Sequence, residues 1–95
     1  MRKAALATEA REARIVERVR AIPRGFVRTY GDIEPLAPRM TGRVLATTTK
    51  RVPWHRVVRA DGSGAKGARQ LQLLRREGVP LIGDRVDLRK ARVQR

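Results

Sequence analysis

The core of this chain must be built from aliphatic side chains, because Phe26, Tyr30 and Trp54 are its only aromatic residues among 95. A single domain of this length buries only a little more than half of the surface that its unfolded chain exposes, so the core is small. The chain has no cysteine, which excludes disulfides, thiolate metal sites and a cysteine nucleophile. The sequence therefore predicts one small domain held together by aliphatic packing.

Positive charge is the strongest bulk feature of the sequence. Lysine and arginine number 23 against nine acids, which gives a net charge of +14 and favours a polyanionic partner. No acid occurs between Glu34 and Asp61. The basic residues within that interval are Arg39, Arg43, Lys50, Arg51, Arg56 and Arg59. One face of the folded chain is therefore expected to be strongly positive, although the arginine bias of a high-GC genome is an alternative explanation.

What the sequence lacks argues against several other classes of protein. No apolar run approaches the roughly 20 residues that cross a bilayer, and Glu9 and Glu12 argue against a transit peptide. A single histidine without a carboxylate cluster nearby disfavours a zinc site. We expect a cytoplasmic protein with no cofactor, no metal and no membrane partner.

Apolar periodicity predicts a first helix from about Thr8 to Ala21, with Thr8 as its N-cap. Pro23 and Gly25 end it. Its buried stripe is predicted to consist of Ile15, Val16, Val19 and Ile22.

The next two helices are short and almost contiguous. Thr29 and Asp32 resemble a capping box, which starts a helix near Tyr30, and Pro35 should bend that helix or limit it to about two turns. Its buried face is predicted to be Ile33, Leu36 and Ala37.

Pro38 suits the first turn of the following helix, which is predicted over Pro38–Thr47. Gly42 inside that helix suggests that another backbone approaches closely. The pair resembles a helix-turn-helix, with an ordinary αα-hairpin as the alternative, and the acid-free, arginine-bearing second helix favours DNA binding.

The remaining chain is predicted to form a strand over Arg56–Arg59, a helix over Ala68–Glu77 that ends at Gly78, and a short final strand containing Val86 and Leu88. The fold class is thus α+β, mostly α: a winged helix-like DNA-binding domain with a helix-turn-helix and short strands. It spans residues 1–95, with mobile basic tails at about 1–7 and 90–95.

Four segments in sequence order resemble the DNA-binding domain of the O6-alkylguanine-DNA alkyltransferases: "IPRGFVRTYGDI", "PRMTGRVL", "PWHRVVRADG" and "LLRREGVPL". The resemblance covers roughly Ile15 to Leu88. The family motif is Pro-Cys-His-Arg-Val, whose cysteine accepts the alkyl group, and this sequence has Trp54 at the cysteine position. That replacement is typical of the alkyltransferase-like proteins, and an indole is a far poorer nucleophile than a thiolate. The resemblance therefore implies a protein that binds an alkylated base without repairing it.

The resemblance assigns DNA contacts to the helix-turn-helix. Tyr30 matches the tyrosine that presses on a phosphate and drives nucleotide rotation. Arg39 matches the arginine that enters the duplex, on the register Arg-x-x-Gly set by Gly42; Arg43 is the rival in another register and otherwise meets a phosphate. Thr41 and Gly42, within this motif, join the predicted DNA contacts.

The resemblance also implies a pocket for the alkylated guanine. Its predicted lining is Pro53, Trp54, the backbone carbonyl of Val57, and either Lys66 or Arg69 from the following loop and helix. Structural support of that pocket is predicted for His55, Arg56 and Glu77, with no catalytic residue.

This chain departs from the alkyltransferases in two ways. The segment between Leu45 and Pro53 is about two residues shorter and lacks the usual Asn-Pro pair, and the "GSGAKGA" loop lacks the usual tyrosine. A more open pocket that accepts bulky adducts is the expected consequence.

The implied function is that of a DNA damage sensor. It would bind O6-alkylguanine in double-stranded DNA by flipping the nucleotide, and would signal the lesion to nucleotide excision repair proteins. Two alternatives stay open. One is a sequence-specific helix-turn-helix regulator. The other is a residual transferase or hydrolase that uses His55 and Glu77.

Overall fold

The computed structural model describes residues 2–94, which form a mostly helical domain with short strands. The elements in chain order are α1 (Arg2–Arg20), β1 (Arg28–Thr29), α2 (Tyr30–Ile33), α3 (Pro38–Thr47), a 3₁₀ turn (Trp54–Arg56), β2 (Val57–Val58), α4 (Ala68–Arg76), β3 (Leu81–Ile82), β4 (Arg85–Val86) and α5 (Leu88–Ala91). This arrangement confirms the predicted fold class.

Helix α1 is longer than the sequence pattern predicts. It begins at Arg2, so Thr8 lies inside the helix and the prediction that Thr8 is its N-cap is wrong. The preceding residues, RKAALA, are strong helix formers and extend the helix toward the N-terminus. Most of the segment predicted as an N-terminal tail is therefore helical, whereas Met1 lies outside the described residues. The predicted stripe of Ile15, Val16, Val19 and Ile22 is buried.

The capping box of α2 is confirmed in both directions. The Asp32 backbone N–H donates to Thr29 Oγ1, and the Thr29 backbone N–H donates to Asp32 Oδ2, each at 3.1 Å. The helix nevertheless lasts only one turn, because Pro35 follows its end and cannot continue the hydrogen-bond ladder. Leu36, predicted to be buried, is 88% exposed, since the chain leaves the helix before reaching it.

Helix α3 has the predicted bounds, with Pro38 in its first turn. Gly42 was expected to lie against the backbone of another element, but it faces a side chain instead. A Cβ at Gly42 would lie 3.8 Å from Cε1 of Tyr30, an ordinary contact distance. The first turn of α2 and the middle of α3 therefore pack ring against backbone.

Strands β1 and β2 pair in parallel, with Arg28 opposite Val57 and Thr29 opposite Val58. The predicted strand at Arg56–Arg59 is thus limited to two residues. In this parallel register, Tyr30 follows β1 and lies beside Arg59, which follows β2, whereas the Trp54–Arg56 turn precedes β2 at the other end of the two-residue pair. Successive residues of β2 point to opposite faces, so Val57 and Val58 belong to two different core clusters.

Both core clusters are aliphatic, as the composition predicts. The first contains Ile15, Val16, Val19, Ile22, Ile33, Val44 and Val57. The second contains Val27, Val58, Leu74, Val79, Val86 and Ala91.

Helix α4 ends as predicted at Gly78, whose φ of +76° suits a glycine after a helix C-cap. The backbone N–H of Val79 then donates to the carbonyl of Leu74 at 3.1 Å, which completes the closing turn. The antiparallel hairpin of β3 and β4 follows.

The C-terminal prediction is wrong in two respects. Leu88 begins α5 and does not continue a strand, because Asp87 caps that helix by accepting from the Arg89 N–H. The segment predicted as a mobile tail packs on the domain up to residue 93: the Val93 N–H donates to the Val27 carbonyl at 2.9 Å. Arg95 lies outside the described residues.

None of the helices within residues 2–94 combines the length and apolar character that a membrane span requires.

Candidate nucleic-acid interface

A cleft of about 520 Å³ opens between the helix-turn-helix and the loop before α4. Its lining consists of Tyr30, Gly42, Leu45, Ala46, Trp54, Ala65, Lys66 and Arg69. No carboxylate belongs to this lining, so the cleft combines apolar walls with cationic side chains. Its volume falls within the range of small-ligand sites, about 300–1,000 Å³.

The only tryptophan and the only histidine of the chain are adjacent in sequence, but their side chains face different parts of the structure. The half-buried Trp54 lines the cleft, whereas His55 is turned toward α4, where it meets Glu77. Their rings meet edge to face, with centroids 5.9 Å apart and planes at 84°. The tight 3₁₀ turn thus places one ring at the cleft and the other in the scaffold beneath it.

Glu77 is the centre of that scaffold. Its carboxylate accepts from Arg56 Nε at 3.0 Å and Nη2 at 2.8 Å, and Oε2 lies 2.9 Å from His55 Nε2. These bonds, those from Arg56 above all, lower the pKa of Glu77 to about 2 despite its burial. Arg56 also donates through Nη1 to the carbonyl of Ile22 at 2.9 Å, which ties the turn to the end of α1. The predicted supporting residues are therefore brought together.

Gln70 is a supporting residue that the sequence reasoning missed. Its side chain is almost wholly buried, and Nε2 donates to the carbonyls of His55 and Val57 at 3.1 and 2.8 Å. Its Oε1 accepts from the backbone N–H of Lys66 at 3.0 Å. Gln70 thereby joins the Trp54–Arg56 turn to the loop on the other side of the cleft. Its position four residues before the buried Leu74, on the inward face of α4, was the available signal.

Gly64 fits closely against that amide. A Cβ at this position would lie only 2.6 Å from Gln70 Oε1, an atom already engaged in a hydrogen bond. Glycine is therefore required for the loop to pass over Gln70.

Tyr30 is the first residue of α2, and its side chain lines the cleft. Burial raises the pKa of its phenol, and the positive charge of Arg59 opposes that rise. The hydroxyl therefore stays protonated at neutral pH and can donate a hydrogen bond to an acceptor such as a phosphate oxygen.

The cationic residues predicted to meet DNA are exposed. Within residues 2–94, Arg39, Arg43, Lys66 and Arg69 take part in none of the ion pairs. Lys66 and Arg69, left as alternatives by the sequence, both line the cleft. Arg39 and Arg43 lie outside the lining, on the exposed side of α3.

Thr41 does not face the solvent, which corrects its assignment as a DNA contact. It is fully buried, and its Oγ1 donates to the Tyr30 carbonyl at 3.3 Å, so it joins α3 to α2. Pro53 and Val57 also lie outside the cleft lining. The Val57 side chain is buried, and its carbonyl already accepts from Gln70.

Within the described part of the chain, no three histidine, aspartate or glutamate side chains come together as a possible metal site. The cleft therefore has to be interpreted from its indole, its phenol and its cations.

Comparison with known proteins agrees with this geometry. The family model for the 6-O-methylguanine DNA methyltransferase DNA-binding domain matches residues 10–79. Proteins of Escherichia coli (strain K12) and Shigella flexneri, each named "DNA base-flipping protein", are 40% identical over 91 aligned residues, covering 83% of this chain and 70% of theirs.

Two crystal structures of Schizosaccharomyces pombe proteins have the same fold. S. pombe Atl1 in complex with damaged DNA containing O6-carboxymethylguanine superposes with a TM-score of 0.76 at 25% identity, covering 92% of this chain and 97% of that one. S. pombe ATL in complex with DNA superposes with a TM-score of 0.79 at 24% identity and the same coverage, which supports the fold alone.

Proposed function

The chain belongs to the family of the 6-O-methylguanine DNA methyltransferase DNA-binding domain, and from that premise we propose that it is a non-enzymatic sensor of alkylation damage. It binds double-stranded DNA that contains O6-alkylguanine, flips the damaged nucleotide out of the stack, and holds the base in the cleft beside Trp54. The relatives named base-flipping proteins and the Atl1 complex with damaged DNA support this proposal.

The observation that carries the proposal is the position of Trp54. A lone tryptophan in a small domain is usually a core residue, but here the indole is half-buried and forms one wall of a 520 Å³ cleft. A flipped base recovers the cost of unstacking, a few kcal/mol, through stacking and hydrogen bonds in its pocket. Trp54 and Tyr30 supply the aromatic surface for that recovery, while Lys66 and Arg69 supply the donors.

The exposed cations support a duplex that lies across the cleft. Arg39 and Arg43 lie on the exposed side of α3 and form no ion pair within residues 2–94, so they are available for DNA. On the family register, Arg39 enters the space that the flipped base leaves, and Arg43 meets a phosphate. The planar guanidinium of Arg39 can stack and donate there without losing its charge.

Binding without repair is supported by the residue type at position 54. We assign Trp54 to the position of the family's alkyl-accepting cysteine, and indole does not provide the ionised soft nucleophile that alkyl transfer needs. The chain has no cysteine that could replace it.

The hydrolase alternative is less favourable on this geometry. Glu77 is held by Arg56 and has a pKa of about 2, so it is a weak base at neutral pH. His55 points its Nε2 at that same carboxylate. The pair therefore supports the Trp54 turn and is poorly placed to activate water in the cleft.

A sensor of this kind leaves the lesion chemically intact, so another activity has to remove it. We propose that the bound, distorted duplex is handed to nucleotide excision repair proteins, by a cytoplasmic, nucleoid-associated monomer.

The test pairs two duplexes of one sequence, with guanine or O6-methylguanine at the same position, at fixed and stated salt. We expect the modified duplex to bind about tenfold or more tightly, because stacking one base is worth ~1–3 kcal/mol. A label on the methyl group should stay on the DNA. Equal affinities would overturn the sensor assignment, a preference for one undamaged sequence would favour a transcription regulator, and label found on the protein or in solution would show an enzyme.

A further inference from the structure

One exposed apolar side chain lies at the junction of the helix-turn-helix. Phe26, Leu36 and Ile82 are the exposed large hydrophobic residues of the described chain, and Leu36 is the most exposed of them, at 88%. It stands between the end of α2 and the start of α3. Residues 2–94 leave it almost wholly uncovered.

The turn holds Leu36 outward in a defined way. The Ala37 N–H donates to the Glu34 carbonyl at 3.2 Å, which makes a β-turn with Pro35 at its second position and Leu36 at its third. Glu34 anchors that turn, because it is buried and its own N–H donates to the Tyr30 carbonyl at 3.2 Å. Proline fixes the backbone on one side of Leu36, and Pro38 fixes it on the other. The leucine is thus presented to solvent by a rigid segment.

The same segment leads directly into the DNA-facing helix. Leu36 precedes Arg39 by three residues, so their Cα atoms are separated by at most about 11 Å. The nearest acid in sequence, Glu34, is buried with a carboxylate oxygen 4.0 Å from Arg18 Nη1. A duplex that meets Arg39 is therefore close to Leu36, and the buried Glu34 does not present a free carboxylate to it.

We propose that Leu36 is an apolar wedge that inserts at a base step of the duplex beside Arg39, and so supplies part of the bend that accompanies flipping. The proposal rests on the proposed function for its duplex partner. Proteins that bend DNA from the minor groove use leucine and similar side chains in this manner, unstacking one step to gain contact area. Leu36 is exposed to water in the free protein, and insertion between bases would bury it, which is favourable.

The experiment compares the wild-type chain with Leu36→Ala, Leu36→Met and Ile82→Ala. Ile82 is 66% exposed in the β3–β4 hairpin, so its truncation is a matched loss of exposed apolar surface away from α3. Bending is measured by energy transfer between dyes at the two ends of a duplex, and affinity is measured on guanine and O6-methylguanine duplexes and on single-stranded DNA. Thermal unfolding of each variant verifies that the fold is unchanged.

We expect Leu36→Ala to reduce the bend in both duplexes and to weaken duplex affinity about tenfold, the loss of one buried leucine. Leu36→Met should retain both properties, and Ile82→Ala should resemble the wild type. The wedge is overturned if Leu36→Ala bends DNA like the wild type, or if it weakens single-stranded binding as much as duplex binding. If the wild type binds guanine and O6-methylguanine duplexes equally, the proposed function is contradicted instead. The bending measurement on Leu36→Ala tests the wedge separately from that comparison.

Discussion

The arginines on the two sides of the Trp54 turn differ in burial and in hydrogen bonding. Beneath the turn, Arg56 is largely buried, with two bonds to Glu77 and one to the Ile22 carbonyl. In front of it, Arg39 and Arg43 are exposed and form no ion pair within residues 2–94. The first region uses its hydrogen-bond donors within the protein, whereas the donors of the second are exposed, and we propose that they meet DNA.

This difference separates stability from binding. The support cluster, defined as His55, Arg56, Gln70 and Glu77, should control folding and the position of Trp54. The binding rim, defined as Arg39, Arg43, Lys66 and Arg69, should control affinity for DNA with little effect on folding.

The largest expected effect is on stability, from Glu77→Ala. Removing this carboxylate leaves Arg56 buried without its partner, which typically costs about 3–5 kcal/mol. Urea unfolding followed by circular dichroism measures the loss. Glu17→Ala, which removes an exposed carboxylate from α1, is the control and should be nearly neutral. If Glu77→Ala is as stable as the wild type, the support cluster does not control folding, and the two regions do not differ in the way described.

Low pH should reduce the contribution of the support cluster to the free energy of unfolding. Because the folded pKa of Glu77, about 2, lies below its ordinary value of 4.5, its contribution is complete above pH 4.5 and is lost as the pH falls toward 2. The loss amounts to roughly 3 kcal/mol from this group. Asp32 acts in the same direction, since its bond from Arg92 above all lowers its pKa.

Unfolding of the wild type and Glu77→Gln between pH 2 and pH 6 isolates the contribution of Glu77. The variant should show a shallower dependence, with only the remaining acids titrating. Parallel curves for the two proteins would contradict the assignment.

A smaller effect, on binding only, is expected from Arg39→Ala. Loss of a residue that stacks at the base site should weaken binding to the O6-methylguanine duplex by ~1–3 kcal/mol and leave the unfolding curve unchanged. Arg75→Ala in the last turn of α4 removes the same charge elsewhere and controls for net charge. An equal loss on the undamaged duplex would reassign Arg39 to a phosphate contact.

The smallest gain of activity is expected from Trp54→Cys, although loss of the indole should weaken binding to the O6-methylguanine duplex. On the proposed assignment, the substitution restores the residue type of the family nucleophile, but we expect little or no alkyl transfer, because Arg56 holds Glu77 as a weak base. Labelled O6-methylguanine duplex and protein gel analysis measure the transfer. Rapid transfer would show that the thiol alone was missing, and that the cleft otherwise retains the reactive arrangement.

The sequence predicted those features that local chemistry determines. Proline at its first turn defines the start of α3, the Thr29 capping box defines the start of α2, and Gly78 ends α4. The contact between His55 and Glu77 followed from the family resemblance and is present. The functional roles of the rim residues stay predictions.

What the sequence did not reveal depends on tertiary structure. Leu36 carries a core-like side chain, yet the early end of α2 turns it outward. Thr41 resembles a surface residue of a recognition helix, yet it is buried against Tyr30. Gln70 is polar on an inward face, and only the folded chain shows which carbonyls it satisfies.

The fluorescence of Trp54 reports whether a flipped base occupies the cleft, because the chain has no other tryptophan and this one forms a wall of the cleft. Titration with O6-methylguanine and guanine duplexes, each carried to saturation at the same salt, compares the emission of the two complexes. Because the flipped base should stack against the indole, we expect the modified duplex to change the emission markedly and the unmodified duplex to leave it unchanged. Identical emission from the two saturated complexes would contradict the account.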